Sequence, residues 1–408
     1  MRDGYRILDA DRHVIEPLDL WLTYMDPELR SHAPRYDYTY GGEGAVADCA
    51  ARPSPGGLLP LPPQPAVDGR PLHHRMSART SRELALSACR RSRRSGPIEL
   101  PETQLEDMDR EGIDVAFLYP TIGLLLLGLA PLDPPLAIAY TRAYNAWLRD
   151  FCARDPARLR GVGLMSPHDP GAMVVELARA AALGFGAVVI RPNPVDGRTL
   201  GDPAYEPFWA ECERRSIAVA VHEGTHAYLP AAGADRFHTR FALHACSHPM
   251  EQMMALLALI EGGVLERHPA LRVAFLEAGC GWLPYWLWRL DEVEYRHLAG
   301  EVAPHVRQAP SAYFRRQCFV GLEPDEPYLT EVIPRIGEDR LLFGTDYPHP
   351  DHDEGLVGQA LALRDRLPGE VLRKILWDNP ARFYGIERGI ERGIERGIER
   401  GIERGTAR

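Results

Sequence analysis

Lysine is almost absent from this chain: among 408 residues with 47 lysines and arginines, Lys374 is the single lysine. It lies in a late predicted helix, so a Walker-type nucleotide site, a Schiff-base cofactor and a carbamylated lysine between two metals all lack an anchor. The sequence also has no Gly-x-Ser-x-Gly elbow, which argues against a serine hydrolase. Catalysis by lysine or by an activated serine is therefore not expected.

Paired cysteines and export signals are also missing. The seven cysteines are scattered and form no Cys-x-x-Cys pair, which favours a reducing cytoplasm. The segment Met1 to Tyr5 has no apolar signal core, and the longest apolar run, from Thr121 to Leu132, is broken by glycine and proline, so neither export nor a membrane span is expected. A net charge of −10 argues against nucleic-acid binding.

What the sequence does contain is a regular alternation of short apolar strands and helices. A first strand at Tyr5 to Asp9 and seven more between residues 114 and 346 give eight β/α units. Continuous apolar strands alternating with helices predict a parallel sheet, and eight units predict a (β/α)8 barrel of the TIM type over residues 1–385. A doubly wound open sheet is the alternative, because periodicity does not reveal closure.

Two segments fall outside this pattern. Residues 36–101 are rich in proline and glycine, and stretches such as Pro60 to Pro65 are not expected in a helix interior or a central strand. We predict a long loop insertion after the first strand. Residues 386–408 contain five copies of Ile-Glu-Arg-Gly, which predict a disordered tail or a frayed helix because glycine recurs every fourth residue.

Ligand-type side chains stand at the ends of four predicted strands. Asp11 and His13 follow the first strand; two residues apart in extended backbone, they point to the same face and can reach one ion. His222, Glu277 and Asp346 end the fifth, sixth and eighth strands. Each alone could be a buried histidine or a capping acid, but in a barrel these ends share one mouth. Together they predict one divalent metal ion with an open position for water: Zn²⁺ first, with Fe²⁺ or Mn²⁺ as alternatives.

Further histidines surround this set. His244 and His248 are four residues apart, but Pro249 indicates that the next helix begins only at Met250. One of the pair is a candidate general acid for the leaving group, and a surface capping role is the alternative. Second-tier candidates are His226, His349 and His352.

Several motifs resemble the amidohydrolase superfamily, in the branch typified by aminocarboxymuconate semialdehyde decarboxylase and the resorcylate decarboxylases. They are Asp9-x-Asp11-x-His13-x-x-Glu16-Pro17, Asp114 to Pro120, Gly262 to Pro269, Leu276 to Pro284, Phe343 to His349 and Asp378 to Arg382. The resemblance places the family's His-x-His pair on Asp11 and His13, its strand-five histidine on His222 and its strand-eight aspartate on Asp346. It implies a metal-dependent barrel enzyme.

One departure from that family decides the expected activity. The decarboxylases have a catalytic histidine where this chain has Glu277, and a carboxyl cannot donate a proton in the same way unless its pKa rises well above about 4.3. We therefore expect a hydrolase, with Glu277 as a metal ligand and Asp346 taking a proton from activated water. The bond cut would be an amide, an ester or thioester, or a carbon–carbon bond beside a carbonyl. The alternatives are a non-oxidative decarboxylase and a metal-free binding protein.

An arginine cluster within the insertion offers a substrate anchor. Arginine binds phosphate through paired hydrogen bonds, so a phosphate-bearing handle such as coenzyme A in an acyl thioester is a candidate ligand; a disordered, solvated loop is the alternative. The expected partner is a small, possibly anionic molecule, and barrels of this type often form homodimers. The arginines are Arg90, Arg91, Arg93 and Arg94.

Overall fold

The computed structural model describes residues 1–37, 64–73, 80, 95–224, 228–349 and 355–386. Five groups of the residues discussed above lie outside these described residues. They are Arg90, Arg91, Arg93 and Arg94; His226; His352; most of the insertion; and the tail from 387 onward. The hypotheses that depend on them stay predictions.

The strands alternate with helices as the sequence predicts. In chain order they are β1 (Leu8–His13), β2 (Arg35–Asp37), β3 (Gln64–Val67), β4 (Arg70–Pro71), β5 (Val115–Tyr119), β6 (Leu159–Gly161), β7 (Gly163–Leu164), β8 (Ala187–Ile190), β9 (Ala218–Val221), β10 (Val273–Phe275), β11 (Cys318–Leu322) and β12 (Leu341–Phe343).

Nine of these strands, β1 and β5 to β12, form a barrel. Parallel pairing runs through β1-β5-β6 and through β7-β8-β9-β10-β11-β12, and Val162 alone separates β6 from β7. The ring closes where Thr345 and Asp346, just after β12, donate backbone hydrogen bonds of 3.1 and 2.8 Å to the carbonyl oxygen of Asp11 on β1. The predicted (β/α)8 barrel is confirmed, and its carboxyl-terminal mouth carries the ligand-type residues.

The helices pack around this barrel. In chain order they are α1 (Asp19–Tyr24), α2 (Pro101–Glu111), α3 (Ile122–Leu127), α4 (Pro134–Cys152), α5 (Pro170–Ala182), α6 (Glu206–Arg215), α7 (Arg240–Glu261), α8 (Val264–Arg267), α9 (Leu283–Trp288), α10 (Arg296–Val302), α11 (Pro310–Gln317), α12 (Leu329–Ile336), α13 (Leu356–Ala362), α14 (Gly369–Arg373) and α15 (Asn379–Tyr384). No helix in the described part of the chain combines the length and the apolar composition that a transmembrane span requires.

The first strand lies later than predicted. β1 runs over Leu8–His13 rather than Tyr5 to Asp9, because its parallel pairing with β5 continues up to His13 opposite Tyr119. Asp11 and His13 therefore belong to the strand itself. A register shift between Asp9 and Arg12 marks a bulge in this pairing, a feature that re-aims side chains near functional sites.

The prediction that a helix begins only after Pro249 was wrong. α7 starts at Arg240, with the Thr239 side chain accepting a hydrogen bond from the backbone of Ala242, and it continues through Pro249. Proline removes one backbone donor from a helix interior and disfavours the turn before it. Here the helix includes that turn, and buried side chains on both sides of Pro249, Leu243 and Leu256 among them, pack the helix onto the barrel.

The insertion also contains a strand where none was expected. β3 includes Pro65 and lies between β2 and β4 in a small antiparallel sheet. Pro65 can occupy this middle strand because its carbonyl oxygen still accepts a 2.8 Å hydrogen bond from the backbone of Leu72, so its ring removes only one donor from the ladder.

Candidate metal centre

Four side chains from three strand ends meet at the barrel mouth. His13 Nε2 lies 3.4 Å from Asp11 Oδ1, 3.2 Å from His222 Nε2 and 3.2 Å from Asp346 Oδ1. His13 and His222 are fully buried, and Asp11 is 6% exposed. The ligand atoms of Asp11, His13 and His222 all lie within 4.8 Å of one another. The fold thus brings together the four residues that the family resemblance singled out.

The tautomers of the two histidines show what this cluster can hold. His13 Nδ1 lies 3.0 Å from the carbonyl oxygen of Pro120, and His222 Nδ1 lies 2.6 Å from that of Glu223. A carbonyl can only accept, so each Nδ1 carries a proton, and in its neutral form each ring presents an Nε2 lone pair. Two lone pairs facing each other at 3.2 Å repel unless a cation lies between them.

The carboxylates complete a donor set that fits a divalent metal ion. Asp11 Oδ1 is buried and accepts no hydrogen bond from any described residue. Burial raises the pKa of Asp11 to about 7, and a bound cation would favour the ionised form. Imidazole Nε2 atoms whose Nδ1 donates to a backbone carbonyl, together with carboxylate oxygens, are standard ligands of divalent metals.

Two acids near this centre have unusual backbone conformations. Asp346 has φ of 51° and Glu277 has φ of 55°, values in the left-handed region that non-glycine residues rarely adopt. Asp346 is held there through Thr345, which donates hydrogen bonds from its backbone N (2.9 Å) and its hydroxyl (2.6 Å) to Asp9. Such strain is characteristic of functional sites.

Glu16 organises the loop beside His13. Its buried carboxylate accepts hydrogen bonds from the backbone of Thr121 (3.2 Å), Ile122 (2.9 Å) and Gly123 (2.9 Å) at the start of α3. This fixes the segment whose Pro120 carbonyl orients His13. The sequence assigned no role to Glu16, and its place in the Asp9-to-Pro17 motif was the one available signal.

His349 joins the cluster more closely than its second-tier rank implied. Its Nδ1 lies 2.7 Å from Asp346 Oδ1, and its Nε2 lies 2.8 Å from the hydroxyl of Thr121. Its ring centroid is 4.0 Å from that of His13. His13, Asp346 and His349 form a second group whose ligand atoms lie within 4.8 Å.

Glu277 and two histidines of α7 stand on the other side of the centre. Glu277 Oε2 lies 3.2 Å from His222 Nε2 and 3.3 Å from His248 Nε2. His244 stacks on His248 with ring centroids 4.3 Å apart. All of these except the buried His222 line a cavity of about 570 Å³, together with Asp11 and Asp346.

Comparison with known proteins places these residues in context. A 2-amino-3-carboxymuconate-6-semialdehyde decarboxylase of Dictyostelium discoideum is 26% identical over 290 residues, which are 70% of this chain and 77% of that protein. A gamma-resorcylate decarboxylase of Rhizobium radiobacter is 27% identical over 266 residues, covering 63% of this chain and 79% of the relative.

Solved structures share the fold. An amidohydrolase of Mycobacterium avium subsp. paratuberculosis superimposes with a TM-score of 0.73 at 21% identity and covers 95% of this chain and 99% of its own. A dihydroxybenzoic acid decarboxylase of Polaromonas, solved with bound manganese and the inhibitor 2-nitroresorcinol, gives a TM-score of 0.60 at 22% identity over 70% of this chain and 86% of its own.

These relatives correct the expected activity. Hydrolysis of an amide, an ester or thioester, or a carbon–carbon bond beside a carbonyl, which the sequence favoured because Glu277 replaces a histidine, was the wrong leading expectation. The two relatives described above are decarboxylases. The error came from giving the strand-six position too much weight. His248, already a candidate general acid from the sequence, is brought by α7 to within 3.3 Å of Glu277.

Family membership follows from a match over most of the chain. The family model described as Amidohydrolase matches residues 19–386. This range includes two of the four cluster residues, His222 and Asp346, and the other two, Asp11 and His13, lie just upstream of it. The barrel and its buried ligand set agree with that match. The chain therefore belongs to the amidohydrolase family.

Proposed function

We propose that this protein is a metal-dependent, non-oxidative decarboxylase of small unsaturated or aromatic carboxylic acids. One observation carries the proposal: the paired Nε2 atoms of His13 and His222, 3.2 Å apart and flanked by Asp11 and Asp346, stand in a chain whose curated relatives are decarboxylases. The proposed metal ligands are these four residues, and the side chains of Glu277 and His349 lie beside them.

The reaction balances without a redox cofactor. The bond between the substrate's carboxyl carbon and its neighbouring carbon breaks, carbon dioxide leaves, the bonding electron pair stays on the neighbouring carbon and a proton takes the vacated position. A bound divalent cation would supply the positive charge that anchors the substrate's carboxylate and an adjacent hydroxyl or carbonyl oxygen. The chain itself must then supply a proton to carbon.

His248 is our proposed proton donor. Its Nε2 lies 3.3 Å from Glu277 Oε2, and the Ser247 hydroxyl lies 3.2 Å from its Nδ1. A carboxylate beside an imidazole favours the protonated ring, which is the form that can donate. The side chain is 7% exposed and lines the cavity, so a proton delivered there is shielded from bulk water. Glu277 thus stabilises the protonated form of His248 and also lies beside His222.

Manganese is our proposed metal. Two imidazoles and at least two carboxylates form the donor set, and oxygen-rich ligation suits Mn²⁺ better than it suits Zn²⁺. The Polaromonas relative was solved with bound manganese. Zinc, which the sequence favoured, stays a prediction that reconstitution with each metal would test.

A direct assay tests the proposed function. Protein purified without chelator, stripped and reloaded with Mn²⁺, is incubated with gamma-resorcylate and related hydroxybenzoates, and released carbon dioxide is measured in the headspace. We expect metal-dependent release that the His13→Ala variant abolishes. Metal-loaded, folded protein that releases no carbon dioxide from any of these acids would count against the proposal.

A further inference from the structure

Gln252 is buried between α7 and the ends of two barrel strands. It belongs to α7 and is fully shielded from solvent, and its side-chain Nε2 lies 3.0 Å from the carbonyl oxygen of Val221 and 3.0 Å from that of Leu276. These two residues directly precede His222 and Glu277 in the chain. One amide group of the helix therefore spans the two strand ends that deliver these side chains to the barrel mouth.

The hydrogen-bond partners fix the orientation of this amide. A carbonyl oxygen can only accept, so Gln252 Nε2 donates one proton to each of the two carbonyls, and the opposite orientation would place Oε1 against both of them. In the observed orientation, Oε1 is buried and accepts no hydrogen bond from any described residue. A buried acceptor without a partner costs stability. A glutamine at this position therefore indicates a role other than stability alone.

His248 lies one helical turn before Gln252. Residues four apart share a face of a helix, so the rotation of α7 that seats the Gln252 amide on the strand carbonyls also turns the His248 ring towards the same strand ends. There, His248 Nε2 reaches Glu277 Oε2 at 3.3 Å. Pro249 lies between the two residues and removes one backbone donor from the helix. Contacts with the barrel must therefore help to hold this turn in place.

We propose that Gln252 is a positioning residue for His248. By anchoring α7 to the carbonyl oxygens of Val221 and Leu276, it sets the distance between His248 and Glu277. The inference rests on the proposed function, because it concerns the proposed proton donor. Gln252 is not among the residues that line the cavity, so it touches neither substrate nor metal and acts through His248.

A double-variant cycle tests whether Gln252 acts through His248. Gln252→Met keeps the approximate volume of the side chain and removes its donor. In manganese-loaded protein we expect it to lower kcat by about 10- to 100-fold, the cost of a displaced catalytic group, with KM changed by less than about twofold. In a His248→Ala background the same replacement should have almost no further effect on kcat, because the group that it displaces is gone.

Gln317→Met is the matched control. Gln317 ends α11 outside the cavity, is also buried, and donates from its Nε2 to the carbonyl oxygen of His268 at 2.8 Å. Its replacement should lower the melting temperature without changing kcat. If Gln252→Met folds poorly, Gln252→Glu, which keeps the shape of the side chain with at most one donor, should show the same dependence on His248.

Crystal structures of the variants give a readout that needs no turnover. In Gln252→Met the distance between His248 Nε2 and Glu277 Oε2 should increase beyond about 4 Å, where a direct polar contact is lost, and in Gln317→Met it should stay at 3.3 Å. An unchanged distance in folded Gln252→Met would overturn the inference, as would a loss of kcat that is undiminished in the His248→Ala background. Because the distance is measured without substrate, it decides the inference even if the carbon dioxide assay fails, and either proposal can fail alone.

Discussion

The Oε2 atom of Glu277 lies 3.3 Å from the Nε2 atom of His248, although one residue follows β10 and the other lies on α7. The contact joins an acid at a strand end to an imidazole that comes from outside the barrel. If His248 is the proton donor, as we propose, the missing strand-six histidine poses no difficulty, because the proton donor and the strand-end residue are then different side chains.

Replacing His248 should therefore separate chemistry from metal binding. We expect His248→Ala to lower kcat by about 10²- to 10⁴-fold, the usual contribution of a positioned acid, while the metal content measured by atomic absorption stays at that of the unaltered protein. His244→Ala, which removes the stacked neighbour, is the control and should cost less. Unchanged kcat in His248→Ala would remove this residue from the mechanism.

Replacing the metal-centre residues should have the complementary effect. His13→Ala and His222→Ala should lose both metal and activity, whereas Asp346→Asn should lose activity with part of its metal retained.

Glu277→Gln should also lower metal occupancy, because its Oε2 lies 3.2 Å from His222 Nε2. A metal-replete but inactive Glu277→Gln would instead assign this residue to proton transfer. Melting temperatures with and without Mn²⁺ provide a second readout, since bound metal stabilises only the folded state.

The buried ion pair between Arg191 and Glu223 should contribute strongly to the free energy of unfolding. The Arg191 guanidinium, 1% exposed, contacts Glu223 Oε1 at 3.1 Å and donates to the carbonyl oxygens of Gly224 (2.6 Å) and Leu124 (3.1 Å). Glu223 in turn supplies the carbonyl that orients His222. Arg191→Met leaves Glu223 buried without its cation, and we expect a loss of about 3–5 kcal/mol in the free energy of unfolding.

The double variant Arg191→Met with Glu223→Leu is the matched control for this pair. Removing both charges should restore much of the stability measured by urea denaturation, because the uncompensated carboxylate is gone. If the double variant is as unstable as Arg191→Met, the loss of stability comes from the lost hydrogen bonds between the guanidinium and the carbonyl oxygens of Gly224 and Leu124, rather than from the uncompensated charge of Glu223.

His168 should make the fold sensitive to acid. Burial, partly offset by Asp196 and reinforced by Arg198, lowers the pKa of His168 from 6.5 to about 4. Between these values the unfolded chain binds a proton that the folded protein does not, so stability should fall as pH drops from 6.5 towards 4, by up to ~1.4 kcal/mol per pH unit. Urea denaturation of metal-free protein at several pH values measures this slope. In His168→Gln the slope should be smaller; an identical slope would show that other groups cause the loss.

The sequence supplied the barrel and most of its metal centre for a physical reason. Apolar strands buried on both faces leave a continuous pattern, and residues at their carboxyl ends share one mouth whatever the helices do. Asp11, His13, His222 and Asp346 could therefore be grouped from the sequence alone.

The remainder depended on contacts that no local pattern records. Because Pro249 favours a helix that begins after it, the sequence did not predict the first part of α7. The contact between His248 and Glu277 could therefore not be predicted either. The link between Asp9 and Thr345 spans 336 positions in the chain, so no local pattern could reveal it. The wrong expectation of hydrolysis arose from this lack of long-range information.

The most direct test of the central claim follows the atoms of the reaction. Manganese-loaded protein is given gamma-resorcylate in one reaction in deuterium oxide and in another in water enriched in oxygen-18, and the products are analysed by mass spectrometry. Decarboxylation predicts equal amounts of carbon dioxide and of a product with one deuterium on the carbon that lost the carboxyl group, with no oxygen-18 in that product. Oxygen-18 in the organic product, without release of carbon dioxide, would contradict the account.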